Sequence, residues 1–235
     1  MMDCFVVPRG GTPRNDKITP FALDGPRTGP QYLGLVAPPP KHDAKTIAQS
    51  ISRVASMIAR RHLKTDRLLL LGIANGGIVL AQRLVGLLRK SGLTPGLGTI
   101  DISFHRDDIG RNPIPKEFSP TVIPHDVNGA HVILVDDVLH SGRTVKAALD
   151  ELFDHGRPAG VELAVLVDRG GRRLPIAPDY TGLVLVAGDT EEVIVHLDAG
   201  QPSKDAIKIA PSQDNPKSKI ENQKSKISPA RVLAS

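Results

Sequence analysis

The chain has 235 residues, of which 40% are hydrophobic and 23% are charged, and it carries one cysteine, Cys4. A single cysteine excludes a disulfide framework within the chain and a metal site built on several cysteines. The formal net charge of +5 is carried by the two ends, because residues 201–235 and residues 1–40 both hold more Lys and Arg than Asp and Glu. The central residues are therefore close to neutral, which gives no general support for nucleic-acid binding.

Composition divides the chain into three parts. Residues 1–40 are rich in proline and glycine and show no helical or strand periodicity, which predicts a flexible arm. Residues 201–235 are rich in lysine and serine and lack aromatic residues, so we expect a disordered tail. Residues 41–200 form the predicted folded domain. Because the sequence shows neither a signal-peptide pattern nor an apolar run near the ~18 residues of a membrane helix, we expect a cytoplasmic protein without a membrane partner.

Helical and strand patterns alternate along residues 41–200. Strands that alternate with helices indicate an α/β fold with a mostly parallel, twisted sheet and helices on both faces. Such sheets bind ligands at the carboxyl ends of their strands, so we expect segments 71–77, 136–144 and 167–175 to meet at one edge. The predicted elements are, in chain order, a helix at 43–63, a strand at 67–72, a helix at 78–90, a strand at 98–104, a long mobile loop at 106–126, a strand at 131–136, a helix at 143–155, a strand at 161–167 and β-rich segments near 183–187 and 192–198.

Residues 131–144 carry the most chemical information, because an apolar run ends in Asp136 and Asp137 before a short loop that contains Ser141 and Gly142. A loop of this composition at a helix N-terminus presents backbone N–H groups to a phosphate. Neighbouring carboxylates can accept hydrogen bonds from vicinal ribose hydroxyls. The alternative is a buried strand whose last Asp caps the next helix, but a cap needs only one short polar residue. The segment therefore predicts a sugar-phosphate site.

Residues 132–144 resemble the diphosphoribosyl-binding signature of the type I phosphoribosyltransferases. Together with segments 156–158, 163–170 and 174–176, they are similar to the pyrimidine operon attenuation regulators that have uracil phosphoribosyltransferase activity, and the similarity covers residues 43–198. The resemblance implies a type I phosphoribosyltransferase fold with a small β-rich hood. It also implies that the protein transfers ribose 5-phosphate from phosphoribosyl pyrophosphate to uracil, giving UMP and pyrophosphate, with Mg²⁺.

The resemblance also implies a role for each residue of the site. Asp136 and Asp137 would be catalytic, holding the ribose hydroxyls and, through the substrate, Mg²⁺, while Arg106 would close over the pyrophosphate. Acids near the sugar and cations near the pyrophosphate match the charges that develop as the bond breaks. The expected substrate-binding residues are Val138, Leu139, His140, Ser141, Gly142, Arg143 and Thr144 on the phosphate side, Ala74, Asn75 and Gly76 on the pyrophosphate side, and Val167, Asp168 and Arg169 at the base. Residues 140–144 are called the phosphate loop below, residues 74–77 the pyrophosphate loop and residues 167–170 the base loop.

Some of these residues have simpler interpretations. Arg106 could be a solvated loop charge beside Asp107. Asp168 and Arg169 could form a salt bridge that stabilises a turn after a strand. Each alternative is a structural role without contact to a substrate.

Two loops depart from the family pattern. The family commonly carries Thr-Arg-Gly where this chain has Asn75-Gly76-Gly77, so a cationic contact to pyrophosphate is missing. In the phosphate loop, the usual Tyr-Thr is replaced by His140 and Ser141. We interpret His140 as a surface replacement of tyrosine, with a general acid or base near neutral pH as the alternative.

A regulatory role is open as well. In the resembling family a Thr and a His of the first helix are associated with RNA contact. The aligned residues here are Ser52 and Ser56, while Arg53 is retained, and a serine in place of histidine loses a potential contact. Ser52 and Arg53 are the candidate RNA-binding residues, with pyrimidine-operon leader mRNA as the partner and UMP or UTP as co-effector.

Three functions therefore remain as hypotheses. The first is a uracil phosphoribosyltransferase, the second an RNA-binding sensor of uridine nucleotides with little catalytic activity, and the third a purine-base phosphoribosyltransferase. The resemblance also implies a homodimer or a higher homo-oligomer. The apolar face of the helix at 43–63 is a candidate subunit interface.

Overall fold

The computed structural model of the chain describes residues 42–103 and 120–212. Five parallel strands form its central sheet, and two antiparallel strands form a smaller sheet. The central strands are β1 (Leu68–Ile73), β2 (Gly96–Ile100), β3 (His131–Leu139), β4 (Gly160–Asp168) and β5 (Tyr180–Val184), in the order β2-β1-β3-β4-β5. The smaller sheet pairs β6 (Glu191–His196) with β7 (Ala206–Pro211). The helices are α1 (Ala44–Arg61), α2 (Gly76–Lys90) and α3 (Arg143–Asp154). This confirms the predicted parallel sheet flanked by helices, and the smaller sheet fits the predicted hood.

Helices cover both faces of the central sheet. Side chains of β1 and β3 alternate between the faces. Leu70 and Ile133 pack with α1 and α2 in one apolar cluster, whereas Leu71 and Leu134 pack with α3 in a second cluster. Burial on both faces explains why these strands read as continuous apolar runs in the sequence. Among the residues that the structure describes, none of the helices combines the length and the apolar character that a bilayer span requires.

Helix α1 follows directly from its sequence. Asp43 caps the helix by accepting a hydrogen bond from the backbone N–H of Thr46 at 2.8 Å, and apolar residues recur at the spacing of one helical face. That face is buried within the chain, since Ile47 and Ile58 are 0% exposed and pack in the cluster that covers the sheet. The proposal that this face forms a subunit interface is therefore wrong, because the chain's own sheet and α2 occupy it.

Two element boundaries differ from prediction in ways that affect the candidate site. Strand β3 continues to Leu139, because Val138 and Leu139 still pair with β4, so Asp137 lies within the strand and not after its predicted end at 136. Helix α2 begins at Gly76, with Asn75 as its N-cap. The Asn-Gly-Gly segment is therefore the start of the helix and not a turn that precedes it.

The prediction of a disordered tail from residue 201 is wrong for its first residues. Residues that follow position 200 form a short 3-10 turn (Pro202–Lys204) and strand β7, which pairs with β6 along its whole length. An ion pair between Arg83 on α2 and Asp205 supports this segment, and the Asp205 side chain is fully buried. Ile207 is also buried, against the α1 and α2 side of the core. Tertiary contacts that composition does not reveal thus stabilise a polar stretch.

Arg106 and most of the predicted long loop lie outside the described residues. The loop's last residues, 120–126, are described, and they pass alongside the edge of the sheet. There Thr99 of β2 and Val122 exchange two backbone hydrogen bonds of 2.9 Å.

A buried polar network lies near the amino ends of the strands, at the edge opposite the candidate site. Glu162 of β4 accepts a hydrogen bond from the Tyr180 hydroxyl at 2.6 Å and lies 2.9 Å from Nε2 of His62. Arg61 pairs with its other oxygen at 2.8 Å. Burial raises the pKa of Glu162, but the hydrogen bonds from Tyr180 and His62 outweigh this effect and hold the pKa below its ordinary value.

The lowered pKa of Glu162 predicts a loss of stability in acid. A carboxyl group whose pKa is depressed by folding stabilises the fold above its unfolded pKa, and that contribution is lost as the pH falls through the folded pKa. We therefore expect the thermal midpoint of the wild type to fall more steeply below the ordinary glutamate pKa of 4.5 than that of Glu162→Gln. Thermal denaturation followed by circular dichroism between neutral and acid pH measures both slopes, and parallel curves would show that Glu162 contributes nothing to the acid sensitivity.

Candidate active site

Three predicted segments meet at the carboxyl edge of the sheet. The pyrophosphate loop is attached to the end of β2, because Ala74 donates its backbone N–H to the carbonyl of Ile100 at 2.9 Å. The base loop is attached to the end of β3 by a hydrogen bond of 3.0 Å from the N–H of Arg169 to the carbonyl of Leu139. Parallel strands bring their carboxyl ends to one edge, so the topology itself assembles these loops around β3.

The two aspartates of β3 differ in their environments. Asp136 is only 5% exposed, and one of its carboxylate oxygens accepts the backbone N–H of Asp137 at 3.0 Å. Asp137 is half-buried and accepts the N–H of Val138 at 2.8 Å. Asp137 is therefore the more accessible of the two acids to a ligand, while Asp136 lies behind it within the strand.

Burial also separates the two acids electrostatically. Loss of hydration raises the pKa of Asp136 well above its ordinary range, and the neighbouring charge of Asp137 raises it further. Burial raises the pKa of Asp137 too, although the hydrogen bond from Val138 opposes that shift. Two close carboxylates that share a site titrate as a pair. Cationic or hydrogen-bond-donating groups of a ligand would relieve this repulsion.

The raised pKa of Asp136 predicts a trade-off between stability and function. An acid whose pKa is raised by folding destabilises the fold as the pH rises above its unfolded value of 3.8. We expect Asp136→Asn to unfold at a higher denaturant concentration at neutral pH, with a gain of about 1–2 kcal/mol, because Asn keeps the carbonyl that accepts the Asp137 N–H. The gain should shrink towards pH 4. Urea denaturation at both pH values tests this, and a variant less stable than the wild type at neutral pH would contradict it.

Gly76 lies directly against the side chain of Asp137. A Cβ built on Gly76 would overlap the Asp137 carboxylate. The carboxylate thus lies directly over the first residue of α2, where the positive end of the helix dipole favours negative charge. A larger residue at position 76 would have to displace Asp137.

The phosphate loop joins the end of β3 to α3. Gly142 has a φ of +89°, which a side chain would strain, and Arg143 begins the helix directly afterwards. The first N–H groups of a helix have no partners within the helix, so the N-terminus of α3 can bind an anion. Gly142 is also packed closely, because a Cβ there would be 3.3 Å from atoms of Leu174 and Ile176. The predicted phosphate site therefore has the expected local geometry.

His140 lies in a cationic environment. Partial burial lowers the pKa of its imidazole, and the charges of Arg169, Arg173 and Arg172 lower it further. Both effects favour the neutral form of the imidazole. These arginines also make this side of the loop electropositive, which suits a phosphate-bearing ligand.

The base loop differs from the simple interpretation of its sequence. Asp168 accepts the N–H of Gly170 at 2.8 Å and pairs with Arg172 at 2.7 Å, so its cationic partner is not Arg169. Arg169 is 6% exposed, and its guanidinium donates to the carbonyls of Gly188 and Glu191 near the hood. The Asp168–Arg169 salt bridge is therefore wrong as an interpretation of the side chains. Any contact of this loop with the base falls to its backbone groups, because Val167 is 0% exposed and belongs to the core.

Arg172 is the residue of this site that the sequence analysis missed. Its guanidinium contacts both the phosphate loop and the base loop. The only signal in the sequence was the four-residue spacing from Asp168, which normally indicates an ion pair on a helix. Here the segment is not helical, so that signal gave no reason to pair the two residues.

The residues considered for RNA contact lie on α1, away from this edge. Ser52 and Ser56 are exposed, and the Ser56 hydroxyl donates to the carbonyl of Ser52 at 2.9 Å. Arg53 donates to the carbonyl of Gly182 in β5. The arginine is therefore engaged within the chain in this structure.

The donor set fits Mg²⁺ only as an ion shared with a ligand. Within the described residues there is no group of three or more His, Cys, Asp or Glu side chains that could hold a metal alone. Mg²⁺ in phosphate-binding proteins is commonly held by one or two carboxylates together with substrate oxygens. Asp136 and Asp137 are two neighbouring acids at this edge, and a bound cation would favour their charged forms against the raised pKa values.

Comparisons of the sequence with known proteins identify its relatives. Residues 42–201 match the family model described as phosphoribosyl transferase domain. The chain is 45% identical over 159 residues to bifunctional protein PyrR 1 of Lactiplantibacillus plantarum, an alignment that covers 66% of this chain and 88% of that protein. It is 46% identical over 150 residues to bifunctional protein PyrR of Pseudomonas aeruginosa, covering 64% and 85%.

A solved structure shows the same fold. The hypoxanthine phosphoribosyltransferase of Trypanosoma cruzi superposes with a TM-score of 0.54 at 21% identity and covers 72% of this chain and 95% of its own. At this identity the similarity concerns the fold alone. Strand β7 extends past the end of the family match at residue 201, so the hood is completed by residues that lie beyond it.

Proposed function

We propose that this chain, which belongs to the phosphoribosyl transferase family and is a type I phosphoribosyltransferase of the PyrR type, forms UMP and pyrophosphate from phosphoribosyl pyrophosphate and uracil. The observation that carries the proposal is the sequence of groups along one strand and its loop. Asp136 and Asp137 lie near the end of β3, and the phosphate loop with Gly142 follows after Val138 and Leu139. This arrangement supports a site in which the acids bind the ribose beside a helix N-terminus that binds the 5-phosphate.

In this mechanism the phosphate loop holds the 5-phosphate with backbone N–H groups and the hydroxyls of Ser141 and Thr144. Asp137 accepts hydrogen bonds from the ribose hydroxyls, since it is the more accessible acid. As the bond from C1 of the ribose to pyrophosphate breaks, the sugar ring becomes positively charged, and the carboxylates of β3 stabilise that charge. Asp136 and Asp137 would hold Mg²⁺ through the substrate, and the ion would neutralise charge on the leaving pyrophosphate.

The pyrophosphate leaves towards the N-terminus of α2. There the pyrophosphate loop offers backbone N–H groups and the helix dipole in place of the family's arginine. Arg106, which lies outside the described residues, is the proposed cation over the pyrophosphate. Uracil lies against the base loop, where backbone groups contact its edge, and the new bond joins a uracil nitrogen to C1 of the ribose.

A second role, RNA binding, and a second substrate class, a purine base, are also candidates. The relatives in Lactiplantibacillus plantarum and Pseudomonas aeruginosa are named bifunctional proteins, which favours a second, RNA-binding role with UMP as co-effector and leader mRNA as partner. The exposed Ser52 and Ser56 leave room on α1 for such contact, but Arg53 would have to release Gly182 to take part. A purine base stays the alternative substrate that the sequence left open, since the fold shared with the hypoxanthine enzyme does not distinguish the bases.

One incubation separates the two enzymatic candidates. The full chain is mixed with labelled phosphoribosyl pyrophosphate and Mg²⁺, and uracil, hypoxanthine and guanine compete in equal amounts. We expect labelled UMP as the dominant nucleotide, and dominance of IMP or GMP would replace uracil by a purine as the substrate. The regulatory role is tested by the affinity for pyrimidine-operon leader RNA with and without UMP, and binding that UMP does not change would remove it.

A further inference from the structure

Arg172 joins two loops that belong to different parts of the site. Its Nη1 lies 2.9 Å from the carbonyl oxygen of His140 in the phosphate loop and 3.2 Å from that of Leu139 at the end of β3. The same nitrogen lies 3.3 Å from the carbonyl of Gly170, and Nη2 pairs with Asp168 at 2.7 Å, both at the base loop. One guanidinium therefore contacts the end of β3 and the end of β4 at once.

Residues 172–176 also make hydrogen bonds to the phosphate loop. The backbone N–H groups of Arg173 and Leu174 both donate to the carbonyl of Ser141, at 3.0 and 3.1 Å. Nε of Arg172 donates to the carbonyl of Ile176 at 3.0 Å, which closes this segment on itself. The guanidinium thus has a fixed orientation, since three of its nitrogens have partners in three separate segments.

Charge and burial make this contact stronger than a surface ion pair. The side chains of Arg172 and Asp168 are 23% and 21% exposed, so solvent screens them less than it screens an exposed pair. Hydrogen bonds from a charged donor are about twice as strong as neutral ones. The planar guanidinium also fixes several acceptors in one geometry, which a lysine ammonium cannot reproduce.

We propose that Arg172 is a positioning residue that sets the separation between the phosphate loop and the base loop, and so selects ligands that bridge them, namely nucleoside 5-monophosphates. The proposal rests on the proposed function, because it takes the two loops as the phosphate and base subsites. A nucleotide occupies both subsites at once and gains from their correct spacing. Ribose 5-phosphate occupies one subsite and gains nothing from the spacing.

The test compares a bridging ligand with its fragment. Calorimetry measures the affinity of the full chain for UMP and for ribose 5-phosphate, with IMP and GMP as further bridging ligands. For Arg172→Ala we expect the UMP affinity to fall about 30-fold or more, as expected when charged hydrogen bonds that order a site are removed, while the ribose 5-phosphate affinity falls less than about threefold. Arg172→Lys should recover part of the loss, because it keeps the charge opposite Asp168.

Arg157→Ala is the matched control. Its guanidinium contacts the carbonyls of Phe153 and Gly156 near the opposite edge of the sheet, so both affinities should stay at the wild-type values. Equal losses for UMP and ribose 5-phosphate in Arg172→Ala would contradict the proposal and show a collapsed phosphate loop. Unchanged affinity for both ligands would also contradict it. A wild type that binds IMP or GMP in place of UMP would change the proposed base but not this inference, whereas a wild type that binds only ribose 5-phosphate would overturn it.

Discussion

Asp137→Asn is expected to lower kcat/KM for nucleotide formation about 100-fold or more, the size of effect that follows removal of a charged group facing the reacting centre. The substitution keeps the shape of the side chain and the oxygen that accepts the Val138 N–H. It removes the negative charge that the proposed mechanism places beside the ribose. Initial rates with phosphoribosyl pyrophosphate, Mg²⁺ and uracil measure the effect.

A loss of fold must be separated from a loss of chemistry in this variant. Asp150→Asn is a suitable control, because Asp150 lies on α3 in an exposed pair with Lys146 and is 40% exposed. We expect the control to keep wild-type rates and Asp137→Asn to keep a wild-type thermal midpoint or a higher one. Wild-type UMP formation by Asp137→Asn would remove Asp137 from the mechanism.

The second large effect concerns stability. Asp205→Ala should lower the free energy of unfolding by about 3–5 kcal/mol, because it leaves Arg83 without its buried ionic partner. Asp205 has a fully buried side chain and also accepts the N–H of Asp198 at 3.0 Å, while Arg83 donates to the Asp198 carbonyl. The substitution therefore removes the contacts of Asp205 with Arg83 and with the Asp198 N–H, and so the link from the turn Pro202–Lys204 to α2. Urea denaturation of both proteins gives the difference.

The same truncation at an exposed pair gives the comparison. Asp150→Ala removes a partner of Lys146, whose side chain is 59% exposed, and exposed pairs contribute about 0.2–1 kcal/mol. Asp205→Ala should therefore exceed the control severalfold. Equal losses in the two variants would show that the Arg83–Asp205 pair does not hold the hood against α2.

Local pattern predicted much of this fold, because the elements near the site have strong periodicity. Helix α1 is observed at Ala44–Arg61 against a predicted 43–63, since its apolar spacing and its Asp43 cap agree. Strand β1 is buried along its whole length, which matches an uninterrupted apolar run. The order of strands and helices then placed the candidate loops at one edge.

The errors come from contacts between distant parts of the chain. Strand β3 includes Asp136 and Asp137 because β4 continues to pair with it up to Leu139, and no local signal shows how far a partner strand extends. Residues 202–211 are tied to the domain by the contact between Asp205 and Arg83, which lies more than one hundred positions earlier in the chain. Composition alone, by contrast, favours disorder in that stretch.

The candidate site divides in the same way. The motif of residues 131–144 predicted the acids and the loop with Gly142, because a phosphate site of this kind is built from consecutive residues. The contact between Gly76 and Asp137 and the position of Arg172 between two loops depend on how separate segments pack. Sequence spacing carries no information on either.

The central claim is that the acids of β3 and the phosphate loop together bind phosphoribosyl pyrophosphate. Calorimetric titration of the full chain with phosphoribosyl pyrophosphate in the presence of Mg²⁺ tests this claim directly, with Asp137→Asn measured beside it. The account predicts saturable binding of one ligand per chain to the wild type and much weaker binding to the variant. Absence of heat and of saturation with the folded wild-type protein would contradict it.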